Sequence, residues 1–571
     1  MVATSSSSSS DASTAPADTS RTRPSPAEHA AKVFQPEYVE PTRITVQGPF
    51  IPTPDTSAGP WTGQGEATAA VEISLSDEQV KDAEAWQRQR LARRFEHEQE
   101  RVDKHLAEII HDNLDVPLRL NSIRFLGAKT TRPGFLSQIV APYLVPIPPP
   151  AFLASTFPTP STSSPSNQTL KSLLQTTRQL TDHLERLDIF RPGSITPTIV
   201  KSDSVLSHKD EVDLVFNVQE QPKYFVRTST DVGDGEGNAT GTAKIRNAFG
   251  GGETIEANVS FGTRTKSAFQ VKFDTPVNAS PSTRFDLSVF SAERDLNYFA
   301  SCNESTKGFL ARLRTLSPFG SHEFAYEAVL RQIGQVAPSA SMSVRDSAGP
   351  SVKSAVSHTF TRDSRDDPFI ATRGFYLKLK QEYAGLGGDA NFLKSEHESS
   401  ISRSLGNGYS VSFGTRSGLL FPATEPQSSS STTPRPSNVL LSDRFHLGGP
   451  TSVRMLRPNT LGPRDNRDYV GGTAYWAMGA SLITPVRASW PSFKGHVFVN
   501  AGKLVDTSSS ARQPSSLKRL FNQPPSITTG FGLLYRHSLV RVEVNVGVPI
   551  VAAQGEGVVK GVQFGLGLSF L

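Results

Sequence analysis

The stretch "SLVRVEVNVGVPI" spans residues 538–550, and through its middle every second residue is a valine. Val540, Val542, Val544, Val546 and Val548 fall on one face, and Arg541, Glu543 and Asn545 on the other. A period of two is that of a β-strand, so this segment reads as a strand with one apolar and one polar side. The same habit recurs in "ETIEANVSFGT", "TRFDLSVFSA", "GFLARLRTL", "HEFAYEAVLRQI", "GFYLKLKQEYAG", "GYSVSFGTRSGL", "AYWAMGASLITPV", "GHVFVNAGKL", "SITTGFGLLY" and "GVQFGLGLSF". It runs from Tyr224 to the end of the chain, broken by a single long loop. Soluble sandwiches also alternate, but their domains end after about 100–150 residues. At about 20 residues per strand and connection, the length holds about 16 strands, an even number that closes into an antiparallel barrel. The expected fold is therefore all-β. It is a transmembrane barrel over 223–571, with apolar residues toward lipid and polar ones toward the lumen, and closure removes the edges an open sheet would expose.

Totals exclude several other classes. Among 571 residues there is one cysteine, Cys302, so neither an internal disulfide nor a cysteine metal cluster is expected. The formal net charge of +5 is small for the length and no long basic run occurs, which argues against nucleic acid as a partner. No apolar run is long enough for a transmembrane helix. The opening "MVATSSSSSSDASTAPADTS" is polar and serine-rich, so a secretory signal is not expected.

Ahead of the barrel the texture changes three times. Residues 1–75 are rich in Ser, Thr and Pro and read as disordered. Residues 76–114 read as a solvated helix opened by a capping box of Ser76 with Gln79. Residues 115–222 give the order β-α-α-β-β: "LRLNSIRFLGA", "PGFLSQIVAPYL", "TLKSLLQTTRQLTDHLERL", "ITPTIVKSD" and "DEVDLVFNVQEQ". A low-complexity insertion, "PIPPPAFLASTFPTPSTSSPSNQ", separates its two helices.

The long loop, 422–472, is too long to be a bare connection. Its first part, "ATEPQSSSSTTPRPSN", reads as disordered. Its second part, "RFHLGGPTSVRMLRPNTLGPRDNRDYVGG" (444–472), carries five glycines, three prolines and five arginines, and Phe445, Leu447, Val453, Met455, Leu456 and Leu461 want burial. Gly448-Gly449-Pro450 and Gly462-Pro463 set tight turns. Between two membrane strands, the sheltered place for such a loop is the lumen. Arg454 would need a carboxylate there; facing lipid it would cost about 2–4 kcal/mol.

Two resemblances follow from these residues. The order over 115–222, with "LERLDIFRPGSI" (184–195), resembles a polypeptide-transport-associated (POTRA) domain. "FHLGG" (445–449), "SVR" (452–454), "LGPR" (461–464) and "GGTAYW" (471–476) resemble the luminal loop of the outer-membrane β-barrel insertase superfamily, the bacterial surface antigen family. The pattern departs at Met455-Leu456, where that family has Gly-Phe. One POTRA-like domain resembles the mitochondrial branch, the core subunit of the sorting and assembly machinery. The resemblance implies an anchor for the loop built on Arg454, Gly448, Gly449 and Gly462, with a carboxylate partner on a following strand. Asn500 stands where an Asp is usual, and Asp506 is the expected partner. It also implies a weak seam between the first strand, which contains Arg227, and the last, which bears the sorting pattern Gln563-x-Gly565-x-x-Leu568-x-Phe570. A precursor strand would pair with that opened edge. Implied partners are β-barrel precursor proteins, membrane lipid and the peripheral subunits of the sorting and assembly complex. The implied location is the mitochondrial outer membrane, with the POTRA-like domain in the intermembrane space.

No bond-making chemistry is expected. "DVGDGEGNATG" (231–241) is followed by no helix and lacks calcium-loop spacing, so it reads as a hairpin turn. The histidines show no ligand spacing and no nucleophile elbow occurs, so no catalytic residue, metal or cofactor is assigned. The alternatives are a passive porin-type channel, which has no use for the loop, and a soluble β-rich interaction protein.

Overall fold

The computed structural model describes residues 77–144, 169–202, 210–233, 236–423, 439–487, 489–490, 492–507, 518, 520–537, 540–567 and 569–571. The serine-rich start, Ser76, the proline-rich insertion, the first part of the long loop and Leu568 lie outside them. Helix α1 (Asp77–Asp112) is 36 residues long, and Trp86, Leu91, Val102 and Ile109 on it are exposed. No described helix is long and apolar enough to cross a membrane.

A small α/β unit follows. Its elements are β1 (Arg119–Leu126), α2 (Pro133–Leu144), α3 (Leu170–Arg186), β2 (Thr196–Lys201) and β3 (Glu211–Asn217). The sheet order is β1-β3-β2, with β1 parallel and β2 antiparallel to β3. Pro133 opens α2, where its missing N–H costs nothing. Thr169 caps α3 by accepting from the Ser172 amide, and Ser172 accepts in return from the Thr169 amide at 3.0 Å. Leu180 and Leu184 on α3 pack with Ile139, Leu214 and Phe216 into one apolar core. On the other face of the sheet, the buried Asp213 takes the Ser122 hydroxyl at 2.8 Å and the Arg124 guanidinium, and these bonds hold its carboxyl below the usual range.

The rest is one 16-stranded antiparallel sheet. Its first eleven strands are β4 (Tyr224–Gly233), β5 (Glu236–Arg246), β6 (Thr254–Gly262), β7 (Thr265–Pro276), β8 (Thr283–Asp295), β9 (Asn303–Ser317), β10 (Gly320–Gly334), β11 (Gly349–Asp363), β12 (Gly374–Gly388), β13 (Phe392–Gly406) and β14 (Tyr409–Pro422). A two-residue pair, β15 (Arg464–Asp465) and β16 (Asp468–Tyr469), belongs to the long loop. The wall then resumes with β17 (Ala474–Pro485), β18 (Phe493–Val505), β19 (Ser526–Arg536), β20 (Arg541–Val551) and β21 (Gly561–Gly567). The sheet closes on itself: β4 and β21 come within 8 Å. No ladder joins them among the described residues.

The opening valines now have a face. Val544, Val546 and Val548 are 39%, 36% and 52% exposed, whereas Glu543 and Asn545, which alternate with them, are 0% exposed. The same inversion holds on β8, where Leu287 and Val289 point out and Asp286 and Ser288 are buried. An outer wall of apolar side chains around a polar interior is the reverse of a water-soluble protein and matches a lipid-facing barrel. The interior charges neutralise one another: Arg284 and Arg314 hold Asp274, Arg312 holds Asp286, and Lys353 and Lys380 hold Glu382.

The small α/β unit is fastened to two turns at one rim. His183 Nε2 lies 2.8 Å from the Ala279 carbonyl in the turn after β7. In the turn after β5, Asn247 donates to the Thr131 hydroxyl at 3.0 Å, and Glu253 pairs with Arg132 at 2.5 Å. Strand direction alternates, so the long loop and the β8–β9 and β20–β21 connections stand at the opposite rim.

Candidate functional site

The second part of the long loop folds inside the barrel. Phe445, Leu447, Val453, Leu456 and Leu461 are each at most 6% exposed and cluster with Phe392, Leu420, Ala477 and Leu504 of the wall. Gly448 has φ +110°, a region that disfavours side chains, and a Cβ there would meet the Arg457 carbonyl at 3.0 Å. Gly449 and Gly462 share that conformation. Met455, at the departure from the resembled pattern, has φ +61°, so the backbone keeps a shape suited to glycine although the side chain is present and buried.

Arg454 is 0% exposed, and its guanidinium meets Glu543 as a two-pronged fork. Nε donates to Oε2 at 2.9 Å and Nη2 to Oε1 at 3.1 Å. Nη1 donates to Asn500 Oδ1 at 3.1 Å and to the Leu571 carbonyl at 2.6 Å. The Phe498 and Phe570 rings lie 5.1 Å and 5.7 Å from the guanidinium carbon. Arg541 reaches Glu543 at 2.5 Å, and Asn545 donates to it at 2.8 Å. A fully buried carboxylate is thus satisfied by two guanidinium groups and an amide.

The expected pairing of Arg454 with Asp506 is corrected. Asp506 takes Arg444, at 2.8 Å, where the loop enters the lumen, and Arg331 with Asp443, at 2.6 Å, makes a further tie nearby. Asp506 stands at the rim end of β18, beyond reach of a loop tip buried deep in the barrel. Glu543 is the residue that sequence reasoning missed. It was visible on the polar face of "SLVRVEVNVGVPI", but alternation assigns a side chain to a face and not to a neighbour 89 residues away.

The sorting-pattern residues divide. Gln563 turns inward: its Oε1 accepts from the Met455 amide and its Nε2 donates to the Leu456 carbonyl, both at 2.8 Å. Gly565 lets Pro450 approach, since a Cβ there would meet the Pro450 side chain at 2.9 Å. Phe570 departs from expectation. The last strand ends at Gly567, and the chain then crosses into the lumen. Arg454 draws in the Leu571 carbonyl, Arg541 sits 4.8 Å from the Phe570 ring centroid, and Ser569 donates to Glu398 at 3.0 Å. Arg227, on β4, pairs in register with Thr242, and Thr242 bonds Asn258 of the inner face, so Arg227 faces the lumen. Among the described residues no cluster of three or more His, Cys, Asp or Glu could hold a metal ion.

A closed 16-stranded lipid-facing barrel, plugged by its own loop and anchored at a buried arginine fork, defines a class of outer-membrane protein. Residues 247–570 match the Omp85 superfamily domain, and the chain belongs to that superfamily. A SAM50-like protein of Schizosaccharomyces pombe is 36% identical over 482 residues, covering 83% of this chain and 95% of its own. The sorting and assembly machinery component 50 homologue of Homo sapiens is 30% identical over 412 residues, covering 70% and 84%. Among solved structures, BamA from Haemophilus ducreyi lacking POTRA domains 1–3 superposes with a TM-score of 0.61 at 14% identity, over 78% of this chain and 84% of that one, a likeness of fold.

Proposed function

We propose that this protein inserts β-barrel precursors into the mitochondrial outer membrane through a lateral opening between β4 and β21. The observation that carries this is the seam: two end strands lie side by side with no ladder between them among the described residues. Unpaired backbone cannot be left bare in lipid, so an incoming strand gains by binding such an edge. Glycines at 561, 565 and 567 weaken β21 itself. The luminal loop argues against the porin-type alternative, because its apolar cluster occupies space a passive channel would leave to water. On this reading the small α/β unit is a POTRA-like domain facing the intermembrane space, and peripheral subunits of a sorting and assembly complex meet the barrel.

The test is a lock. Thr228 and Phe564 both lie on the outer face of their strands. Replaced by cysteine in a Cys302→Ser background and joined by a short thiol cross-linker, they should stop insertion of a labelled barrel precursor into isolated mitochondria, while the protein keeps its heat-modifiable migration. Wild-type insertion by a verified cross-linked protein would refute the lateral route.

A further inference from the structure

Five arginines lie between Arg444 and Gly472, and the loop anchor accounts for two of them. Arg444 is matched by Asp506 and Arg454 by Glu543. Arg457, Arg464 and Arg467 pair with no carboxylate among the described residues, and all three are exposed. They line one cavity of about 560 Å³, together with Tyr469 and the Gly555–Gly557 turn of the β20–β21 connection. Arg464 donates to the Gly555 carbonyl at 3.4 Å and lies 5.7 Å from the centre of the Tyr469 ring.

The two carboxylates in the lining are already engaged. Asp468 is 1% exposed and accepts from the Ser301 hydroxyl at 2.5 Å and the Ser341 amide at 2.7 Å. Glu556 accepts from the Ser526 hydroxyl at 2.5 Å and the Ala553 amide at 3.1 Å. Asp468 ties the loop to two other connections and Glu556 ties its own connection to the start of β19, and neither forms an ion pair with the three guanidinium groups among the described residues. The volume falls within the roughly 300–1,000 Å³ of ligand sites, but the walls are mostly polar, unlike the apolar walls of pockets for small organic ligands. Guanidinium forks in a polar basin suit carboxylates.

We propose that this basin at the rim opposite the α/β unit is a docking site for an acidic peptide segment of a partner protein. A phospholipid is the less suited occupant. The basin is built from the luminal loop and the strand connections, not from the outer apolar wall, and offers acyl chains little beyond Phe299 and Val558. An acidic segment arriving from water needs no apolar wall.

The test uses the full chain in nanodiscs and a fluorescein-labelled hexaglutamate peptide, followed by anisotropy at low salt. Binding should be saturable. The pair Arg457→Ala with Arg467→Ala should weaken it by about tenfold, as two charge-assisted contacts are lost. Arg487→Ala, at the opposite rim, should leave it unchanged. The exposed single change Arg467→Glu should weaken it with heat-modifiable migration intact, which separates loss of the site from loss of the fold. Absence of saturable binding, equal weakening by Arg487→Ala, or displacement of the peptide by micromolar short-chain phosphatidylglycerol would overturn the proposal.

Discussion

Glu543→Gln is the perturbation that most directly tests the loop anchor. The carboxylate is 0% exposed and receives two donors from Arg454, one from Arg541 and one from Asn545. Neutralising it leaves two buried guanidinium groups facing an amide. Removing one partner from a buried pair costs about 3–5 kcal/mol, and two cations share this acceptor, so the upper end of that range is expected. At about 1.4 kcal/mol per tenfold, that is a shift of more than about a thousandfold in the folding equilibrium. Arg454→Ala should cost somewhat less, about 3 kcal/mol, because Arg541 remains to pair with Glu543. The two changes should be strongly non-additive, with a coupling energy of about 0.5–3 kcal/mol, since they remove the same fork. Asp506→Asn is the control. Its pair with Arg444 is partly exposed, so a loss within about 1 kcal/mol is expected. The assay is the urea midpoint of the heat-modifiable band in detergent, with precursor insertion measured in parallel. If Asp506→Asn proves as damaging as Glu543→Gln, or if Glu543→Gln is silent, the assignment of the anchor is wrong.

Two further outcomes follow from single residues. Met455→Gly should be less damaging than Met455→Ala by about 1 kcal/mol in the same urea assay, because both lose the buried side chain but only glycine relieves the left-handed backbone at φ +61°; a glycine variant weaker than the alanine one would refute that account. His183 is held below the usual histidine range chiefly by burial, opposed by its bond to the Ala279 carbonyl and aided by Arg186, with the Tyr143 hydroxyl on its other nitrogen at 3.2 Å. A lowered pKa means the unfolded chain binds the proton first, so the contact stabilises above about pH 6.5 and weakens as pH falls below it. Hydrogen exchange in the turn 277–282, corrected for intrinsic rates, should therefore rise between about pH 7.5 and pH 5.5 in the wild type and stay flat in His183→Gln. A flat wild-type profile would exclude the histidine as the cause.

Sequence reading reached the barrel because the interior of a barrel imposes period two on every strand, and the pattern survives without knowing any contact. It reached the folded half of the loop because six large apolar residues in a turn-rich segment have few sheltered places to go. It failed where the answer depends on distance across the lumen. Glu543 and Asp506 are both carboxylates on strands after the loop, and nothing local separates them; only the depth of Arg454 in the barrel does. It failed again at Phe570, because a strand-like Leu-x-Phe continues the alternation on paper. In the folded chain, the Leu571 carbonyl is drawn to the Arg454 guanidinium and the strand stops three residues earlier than Phe570. The arginines of the loop looked alike in the sequence, and only three-dimensional neighbours divide them into anchors and rim residues.

The two ends of the sheet are held by different parts of the molecule. The α/β unit grips the turns after β5 and β7, whereas Gln563, Glu543 and Asn500 tie the luminal loop to β21, β20 and β18. Moving β21 away from β4 breaks no side-chain bond described across the border, but the loop is also tied to β10 through Asp443 and to the β8–β9 and β10–β11 connections through Asp468, so the loop stays joined to the middle of the wall. The work of opening would then be flexure spread through the intact ladders of the far wall. Such a cost is elastic, so bilayer thickness and lateral tension around the barrel should set how often the border parts.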